Sequence, residues 1–578
     1  MARIHQLKIC NFRGIKQFEQ CFGDTNLIVL IGRGDSGKST ILKAISLVLS
    51  PAWNRTFSDA DFYGLDTTKC IKIEVSLRYV PRKLLSDTKY GRYKRLLINK
   101  KIIDDISKSG EEPSAQGEDI LTIKLVVDYT LQPKWYVVNN NRKPKKIEIN
   151  HRDRALLDMF MIADYADNHF SYNKLSPLYA LLKKRLSDQD KKKSLSDQDK
   201  KKSLSVPDTI EKKLVDVVRQ AYKSVASNVS FQEFEDVISK IKEKALHLGI
   251  EIDDLKTLLE YKGNAYTESD ITLHDAQNRP LWMYGKGSKR LLSIAIQLAL
   301  AEAGGIILID EVEQGLEPDR IVRVIRDMKE SVDVKGQIIV TTHSSYVLVE
   351  SDYSQVYLSR KGKNQLIAFT EEEQPILRAQ PHAFFATRII CCEGKTEEGI
   401  LRSFDTLLRP EGGFTAKGIV VCNGKGGDNF YKQAIALRKI GYDVAVFADA
   451  DVTNLNEIQV QARDVGVHLI VCEPGRSIEE QLCEDLSWKD VCRMVEQAIN
   501  RNKHLDILKS LEIENLTKLK GLKKKKQDEF RKCIGIQAKK GGWFKDISKG
   551  EALGEIWFTS KCKGRSLSNL RTIIKKHK

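Results

Sequence analysis

The chain has 578 residues, 41% hydrophobic and 30% charged, with a net charge of +17 and an isoelectric point near 9.1. At about 150 residues per domain it should hold roughly three to four folding units. It has no run of the ~20 apolar residues that a membrane span needs, and Met1-Ala2-Arg3-Ile4-His5-Gln6 opens on a polar alternation rather than a signal core, so a soluble cytoplasmic protein with no membrane partner is expected.

Its 11 cysteines include no Cys-x-x-Cys pair, which points to free thiols rather than zinc or disulfides. Excess positive charge attracts polyanions through counterion release, making DNA the expected macromolecular partner. The run Lys523-Lys524-Lys525-Lys526 reads by itself as a solvated face.

Residues 4 to 12 and 70 to 79 alternate as half-buried strands do. Between them the apolar run Leu27 to Ile31 delivers Gly32-Arg33-Gly34-Asp35-Ser36-Gly37-Lys38-Ser39, and a helix-compatible stretch follows from Thr40 to Leu49. This is a P-loop. Gly32, Gly34 and Gly37 let backbone N–H groups turn inward, Ser36 and Thr40 complete the cradle, and the helix aims its positive dipole end at the same phosphates. Lys38 is expected on the β and γ phosphates of ATP and Ser39 on Mg²⁺.

From 81 to 260 the texture turns rich in Lys, Asp and Ser, and a mostly helical insertion serving packing or dimerisation is expected. Leu186 to Ser194 recurs as Leu195 to Ser203; two polar copies are too few for a solenoid and read as a lengthened surface loop. Farther on, Ile306-Ile307-Leu308-Ile309 runs into Asp310-Glu311. There Asp310 would hold Mg²⁺ and Glu311 would orient or deprotonate an attacking water. After another apolar strand at 337 to 340 comes Thr341-Thr342-His343-Ser344, where His343 occupies the place of a γ-phosphate sensor.

These motifs, with Asn11-Phe12-Arg13-Gly14-Ile15, resemble the ABC-type ATPase heads of the RecF, SMC and OLD families over about residues 1 to 80 and 265 to 350. The resemblance implies that Tyr284-Gly285-Lys286-Gly287-Ser288-Lys289-Arg290 is the signature loop, with Gly287 and Ser288 facing the γ-phosphate of a partner subunit's ATP. It departs from the usual Leu-Ser-Gly-Gly-Gln through its extra lysines. Because such a site is completed by a second head, a homodimer or higher homo-oligomer is implied.

A second chemistry begins at Arg388-Ile389-Ile390-Cys391-Cys392-Glu393-Gly394-Lys395-Thr396-Glu397, a strand that ends in an acid, turns on glycine and enters a helix. Glu393 and Glu397 can face one hard cation. Asn423-Gly424-Lys425-Gly426-Gly427 is a tight loop, and Tyr442 to Asp451 is a strand whose period of two sets Asp449 and Asp451 on one side. In this order the pieces look like a Toprim domain, a Rossmann-like parallel sheet that gathers acids at its carboxyl edge for one or two Mg²⁺, or Mn²⁺, ions.

An ABC head followed by Toprim is the architecture of the OLD (overcoming lysogenisation defect) nucleases, which include the Gabija defence nuclease. That resemblance implies α/β architecture throughout, with a basic helical extension from 491 to 578 after a Toprim core at 385 to 490. It also implies that Glu479 completes the metal set, with Glu480 its rival, and that Lys540, or Lys545, neutralises charge at the scissile phosphate. The expected function is an ATP-regulated, Mg²⁺-dependent DNA endonuclease of antiphage defence, acting with or without a second defence component. A RecF/SMC-like repair ATPase that grips DNA uncut is one alternative; it has no need of the acid cluster. A Toprim topoisomerase or primase is another, and a topoisomerase would need a nucleophilic tyrosine that no segment supplies.

Overall fold

Alternation makes the first sheet. In strand Ile71–Arg78, Ile71, Ile73, Val75 and Leu77 are fully buried on one face, while on the other Lys72 is exposed and Ser76 is buried in a 2.9 Å hydrogen bond with Thr122. In this computed structural model the described residues are 2–52, 54–104, 117–162, 176–178, 181, 232–252, 255–259, 271–302, 304–332, 336–450, 456–503, 506–560, 570 and 573–574. The chain divides into two units, Met1–Ala368 and Phe369–Lys578. No described helix is long and apolar enough to cross a membrane.

In the first unit the antiparallel sheet runs Ile15–Cys21, Arg3–Phe12, Ile71–Arg78, Glu118–Val127, Arg95–Ile98, Lys101–Ile103 in spatial order, with Pro133–Val138 and Lys146–Glu148 continuing from Glu118–Val127. The second sheet runs Met159–Ile162, Ile306–Ile309, Gln337–Thr341, Leu27–Ile31, Val356–Leu358, Ile367–Ala368, parallel except for its last strand. Leu27–Ile31 and Ile306–Ile309 are buried at every position, which is why they read as unbroken apolar runs. Their carboxyl ends carry the P-loop and Asp310-Glu311, the edge where an α/β sheet does its chemistry.

The helical expectation for 81 to 260 fails over 95–104 and 117–162, where strands extend the first sheet and Met159–Ile162 pairs with Ile306–Ile309. The physical reason is tertiary: Glu118–Val127, rich in the β-branched residues Ile120, Thr122, Ile123, Val126 and Val127, pairs with the edge offered by Ile71–Arg78, which outweighs the polar texture around it. Helix Gln232–His247 does lie in the later part. The repeat at 186–203 lies outside the described residues.

The second unit is built on four parallel strands in the order Ile419–Asn423, Arg388–Cys392, Asp443–Ala448, His468–Val471. Helices Lys395–Leu408, Asn429–Lys439 and Asn456–Asp464 fall between them in the chain, and Ile478–Asp485, Trp488–Arg501, Lys524–Lys540 and Ile547–Thr559 follow. Lys523 to Lys526 stand exposed at the start of Lys524–Lys540, as a solvated face.

Helix Ile547–Thr559 lies on helix Lys395–Leu408 almost backbone to backbone. A Cβ on Gly550 would stand 2.5 Å from the Thr396 carbonyl oxygen, one on Gly554 2.8 Å from Ile400 Cα, and one on Gly399 would strike the Ile547 carbonyl. Gly399→Leu is therefore expected to destabilise this unit by about 2–3 kcal/mol, which lowers its melting temperature by roughly 5–10 °C. Thermal unfolding of that variant within a degree of wild type would show that the helices part without cost.

Candidate functional site

The P-loop is fixed by backbone approach. Gly32 sits at φ +142° with no room for a Cβ beside the Ser359 carbonyl, and Ser359 Oγ donates to the Ser36 carbonyl at 2.7 Å. Gly34 faces open space, and Gly37, at φ +95°, caps helix Lys38–Leu49. Lys38 Nζ donates to the carbonyls of Gly32 (2.9 Å) and Arg33 (3.1 Å) and is buried. Burial lowers the pKa of this ammonium, and Asp310, Glu311 and Glu313 pull it back upward. A cavity of about 470 Å³ borders the loop, lined by Thr40, Tyr63, Lys16, Arg360 and Lys361 among others, of a size for a nucleotide.

Ser39 and Asp310 come together from distant sequence. Ser39 Oγ donates to Asp310 Oδ1 at 2.9 Å, Thr341 Oγ1 donates to the same oxygen at 2.6 Å, and Glu311 N donates to Thr341 Oγ1 at 2.8 Å. Glu311 is exposed and held at φ +47°, a conformation that costs a non-glycine residue about 1–2 kcal/mol and is held here by its neighbours. Arg290 donates to the carbonyls of Asp310 and Glu311. Glu313, which sequence reasoning passed over, accepts from Thr342 Oγ1 at 2.7 Å and His343 N at 2.5 Å, so it fixes the backbone of the candidate sensor. The signal for it was the Asp310-Glu311-x-Glu313 spacing.

Gly287 and Ser288 are not in a loop. Helix Lys286–Glu302 already includes them, because the small residue lets its first turn rest on the turn after Glu311: a Cβ on Gly287 would lie 2.6 Å from the Gly315 carbonyl oxygen.

In the second unit Glu393 follows strand Arg388–Cys392, and Glu397 opens helix Lys395–Leu408, where one oxygen accepts from Gly394 N at 3.0 Å. Strand Asp443–Ala448 stops before Asp449, so the period-two argument does not reach it, and Asp451 lies outside the described residues. Glu480 accepts from Ser477 N at 2.8 Å as the capping residue of helix Ile478–Asp485, whereas Glu479 is buried. Burial pushes the Glu397 carboxyl up to about 7, with Glu393 and Glu479 adding to the rise. Burial raises Glu479 too, opposed by Lys545. Asp449, Glu397 and Glu479 all act on the buried Cys472 thiol, which places these acids in one neighbourhood. Of the two candidate lysines, Lys545 thus acts on Glu479; Lys540 ends helix Lys524–Lys540 and is exposed. Among the described residues no three of these groups close on one point as a finished ligand cage.

Crowded, buried carboxyls are the donor set a hard cation would relieve. Glu397→Gln is expected to raise the melting temperature of the EDTA-treated protein by several degrees above neutral pH. The raised folded pKa means that the ionisation penalty is absent below the unfolded value near 4.5 and complete above about 7, so the gain should grow across that window. A gain independent of pH would show that charge is not its cause.

An AAA ATPase domain model matches residues 3–348, more than half of the chain. The chain belongs to the AAA ATPase family. In this AAA ATPase the second unit carries its own match, at 384–451, to the Overcoming lysogenization defect protein-like TOPRIM domain. An OLD nuclease of Thermus scotoductus is 22% identical over 450 residues, covering 73% of this chain and 78% of that one. Among solved structures, an SmcHead bound to the C-winged helix domain of ScpA is 15% identical with a TM-score of 0.40, covering 64% of this chain and 98% of that one. An Smc head with an extended coiled coil, bound to a ScpA C-terminal domain derived from Pyrococcus furiosus, is 14% identical at TM-score 0.38, with the same coverage. The chain is an α/β protein with an AAA ATPase domain, followed by a TOPRIM domain and C-terminal helices, the order the sequence led us to expect.

Proposed function

We propose that the protein is an ATP-regulated, Mg²⁺-dependent DNA endonuclease of antiphage defence, working as at least a homodimer. What supports this reading is that Glu393 and Asp449 follow the carboxyl ends of the parallel strands Arg388–Cys392 and Asp443–Ala448, and that the charges of Glu393 and Glu479 act on the buried Glu397 carboxyl, in the unit that matches the TOPRIM domain. The OLD nuclease relative and the net charge of +17 support DNA as the substrate.

Glu393, Glu397, Asp449 and Glu479 would hold Mg²⁺ or Mn²⁺, with Asp451 as the further expected ligand. A cation there would polarise the phosphodiester and lower the pKa of a bound water. Lys545, with Lys540 as the earlier expectation, would offset charge developing on the phosphate. In the head, Lys38 would bind the ATP phosphates, Ser39 and Asp310 would hold its Mg²⁺, and Glu311 would orient the water and accept its proton. Gly287 and Ser288 would serve a partner subunit's ATP.

Tyr442 speaks against the topoisomerase alternative: it is buried and its hydroxyl donates to the Phe384 carbonyl at 2.7 Å, a packing role. The test is supercoiled plasmid incubated with purified protein and Mg²⁺, Mn²⁺ or EDTA. Nicking or linearisation with metal and none in EDTA is expected; intact plasmid under every condition overturns the reading.

A further inference from the structure

The second unit holds a cavity of about 640 Å³ that the acid cluster does not account for. Part of its wall is apolar, from Pro375 and Ile376 of helix Gln374–Ala379, Ile435 of Asn429–Lys439 and Ile458 of Asn456–Asp464, and the ion pair of Glu372 with Lys439 stands at another part. Lys425 and Lys432 also line it. So does Gln433, whose amide oxygen is out of contact with water and has no hydrogen-bond partner among the described residues. A ligand N–H reaches that oxygen only when the amide turns toward the cavity, a rotation that relieves a buried acceptor without a donor.

The cavity shares a loop with the acids. Asn423, Gly424 and Lys425 line it, while Gly424 N donates to the Cys392 carbonyl at 2.9 Å and Gly426 N to the Glu393 carbonyl at 2.8 Å. Lys425 is held at φ +59°, with its N–H donating to Asn423 Oδ1 at 2.8 Å. Tyr431, beside Lys432, is under the charge of Glu393 and Asp449.

Resting on the nuclease reading, we propose that this cavity seats one unpaired nucleotide of the DNA strand that is cut. Apolar walls accept the faces of a base, Gln433 accepts a base N–H, and Lys425 and Lys432 take the flanking phosphates. The volume falls within the roughly 300–1,000 Å³ of small-ligand sites, and walls from three helices enclose a base only once it has left its stack. The one loop then couples a seated base to the position of Glu393. Lys432 is exposed and, among the described residues, forms its ion pair with Asp428, the N-cap of its own helix, so it can turn to a phosphate at little cost.

The test is binding of a fluorescent single-stranded oligonucleotide by the full chain, with Ca²⁺ replacing Mg²⁺ so that DNA is held and not cut. Ile435→Trp, which fills the cavity, and Lys432→Glu should each weaken binding about tenfold, and Lys432→Glu should lower the slope of log Kd against log salt by about one. An oligonucleotide made wholly of abasic sites should bind wild type and Ile435→Trp alike. Should Ile435→Trp not fold, Lys432→Glu and Gln433→Ala, at exposed and half-buried positions, carry the same test. Wild-type affinity and slope in these variants overturn the proposal, as does displacement of the oligonucleotide by an equal concentration of dAMP, which would assign the cavity to a free mononucleotide. Plasmid cleavage by Glu393→Ala is the separate control: its persistence overturns the nuclease reading, whereas its loss beside normal binding by the cavity variants overturns the cavity alone.

Discussion

Glu393→Ala and Asp449→Ala are each expected to lower metal-dependent plasmid cleavage roughly a thousandfold or more while ATP binding stays intact. Several kcal/mol of charge stabilisation at the phosphate depend on the cation, and each 1.4 kcal/mol is about a factor of ten in rate. Both acids belong to the neighbourhood in which Glu397 and Glu479 are already burdened by burial, so neither variant leaves a complete donor set. The nucleotide site is built from other residues, with Ser39, Thr341 and Asp310 holding one another. Plasmid cleavage, with nucleotide binding measured on the same preparations, separates the two sites. Unchanged cutting by both variants would remove the acid cluster from the chemistry.

What the sequence made legible follows from how local the physics is. The P-loop, Asp310-Glu311 and the Glu393 to Glu397 turn are short and bounded by apolar runs that can only be buried strands, and all fall at the strand ends where they were expected. Choices set by packing were not legible. Glu479 and Glu480 are equivalent in the string, and only the capping bond to Ser477 assigns Glu480 to the helix end and leaves Glu479 among the acids. Lys540 and Lys545 likewise differ only in tertiary position. Gly287 looks like a loop former until the Gly315 carbonyl beside it explains the missing side chain within a helix. The strands of 95–103 and 118–162 were hidden because a sheet edge elsewhere in the chain decides their conformation.

The second large effect is ATP control of cutting, and its expected sign is restraint. A nucleotide can shift the nuclease only by binding two states of the head unequally, and a tenfold change in rate needs about 1.4 kcal/mol of that difference. The head has the means: Ser39 and Asp310 meet, the charge of Asp310 acts on Lys38, and Thr341, Glu311 and Glu313 extend that network to the segment of His343. Cellular ATP is normally abundant, so on the proposed reading an enzyme that must spare host DNA would be held off by ATP and released when ATP falls. Wild type should therefore cut at least about tenfold more slowly at saturating ATP than without it, with free Mg²⁺ held constant because ATP chelates the metal. Lys38→Ala, lacking the charge that holds the phosphates, should cut at the released rate throughout. Glu311→Gln should bind ATP and hydrolyse it slowly, and so remain restrained after wild type has consumed its nucleotide. The order of release, Lys38→Ala first and Glu311→Gln last, separates regulation by occupancy from inhibition by lost metal, which would act on all three alike. Equal wild-type rates with and without ATP would mean that the two chemistries share a chain and nothing more.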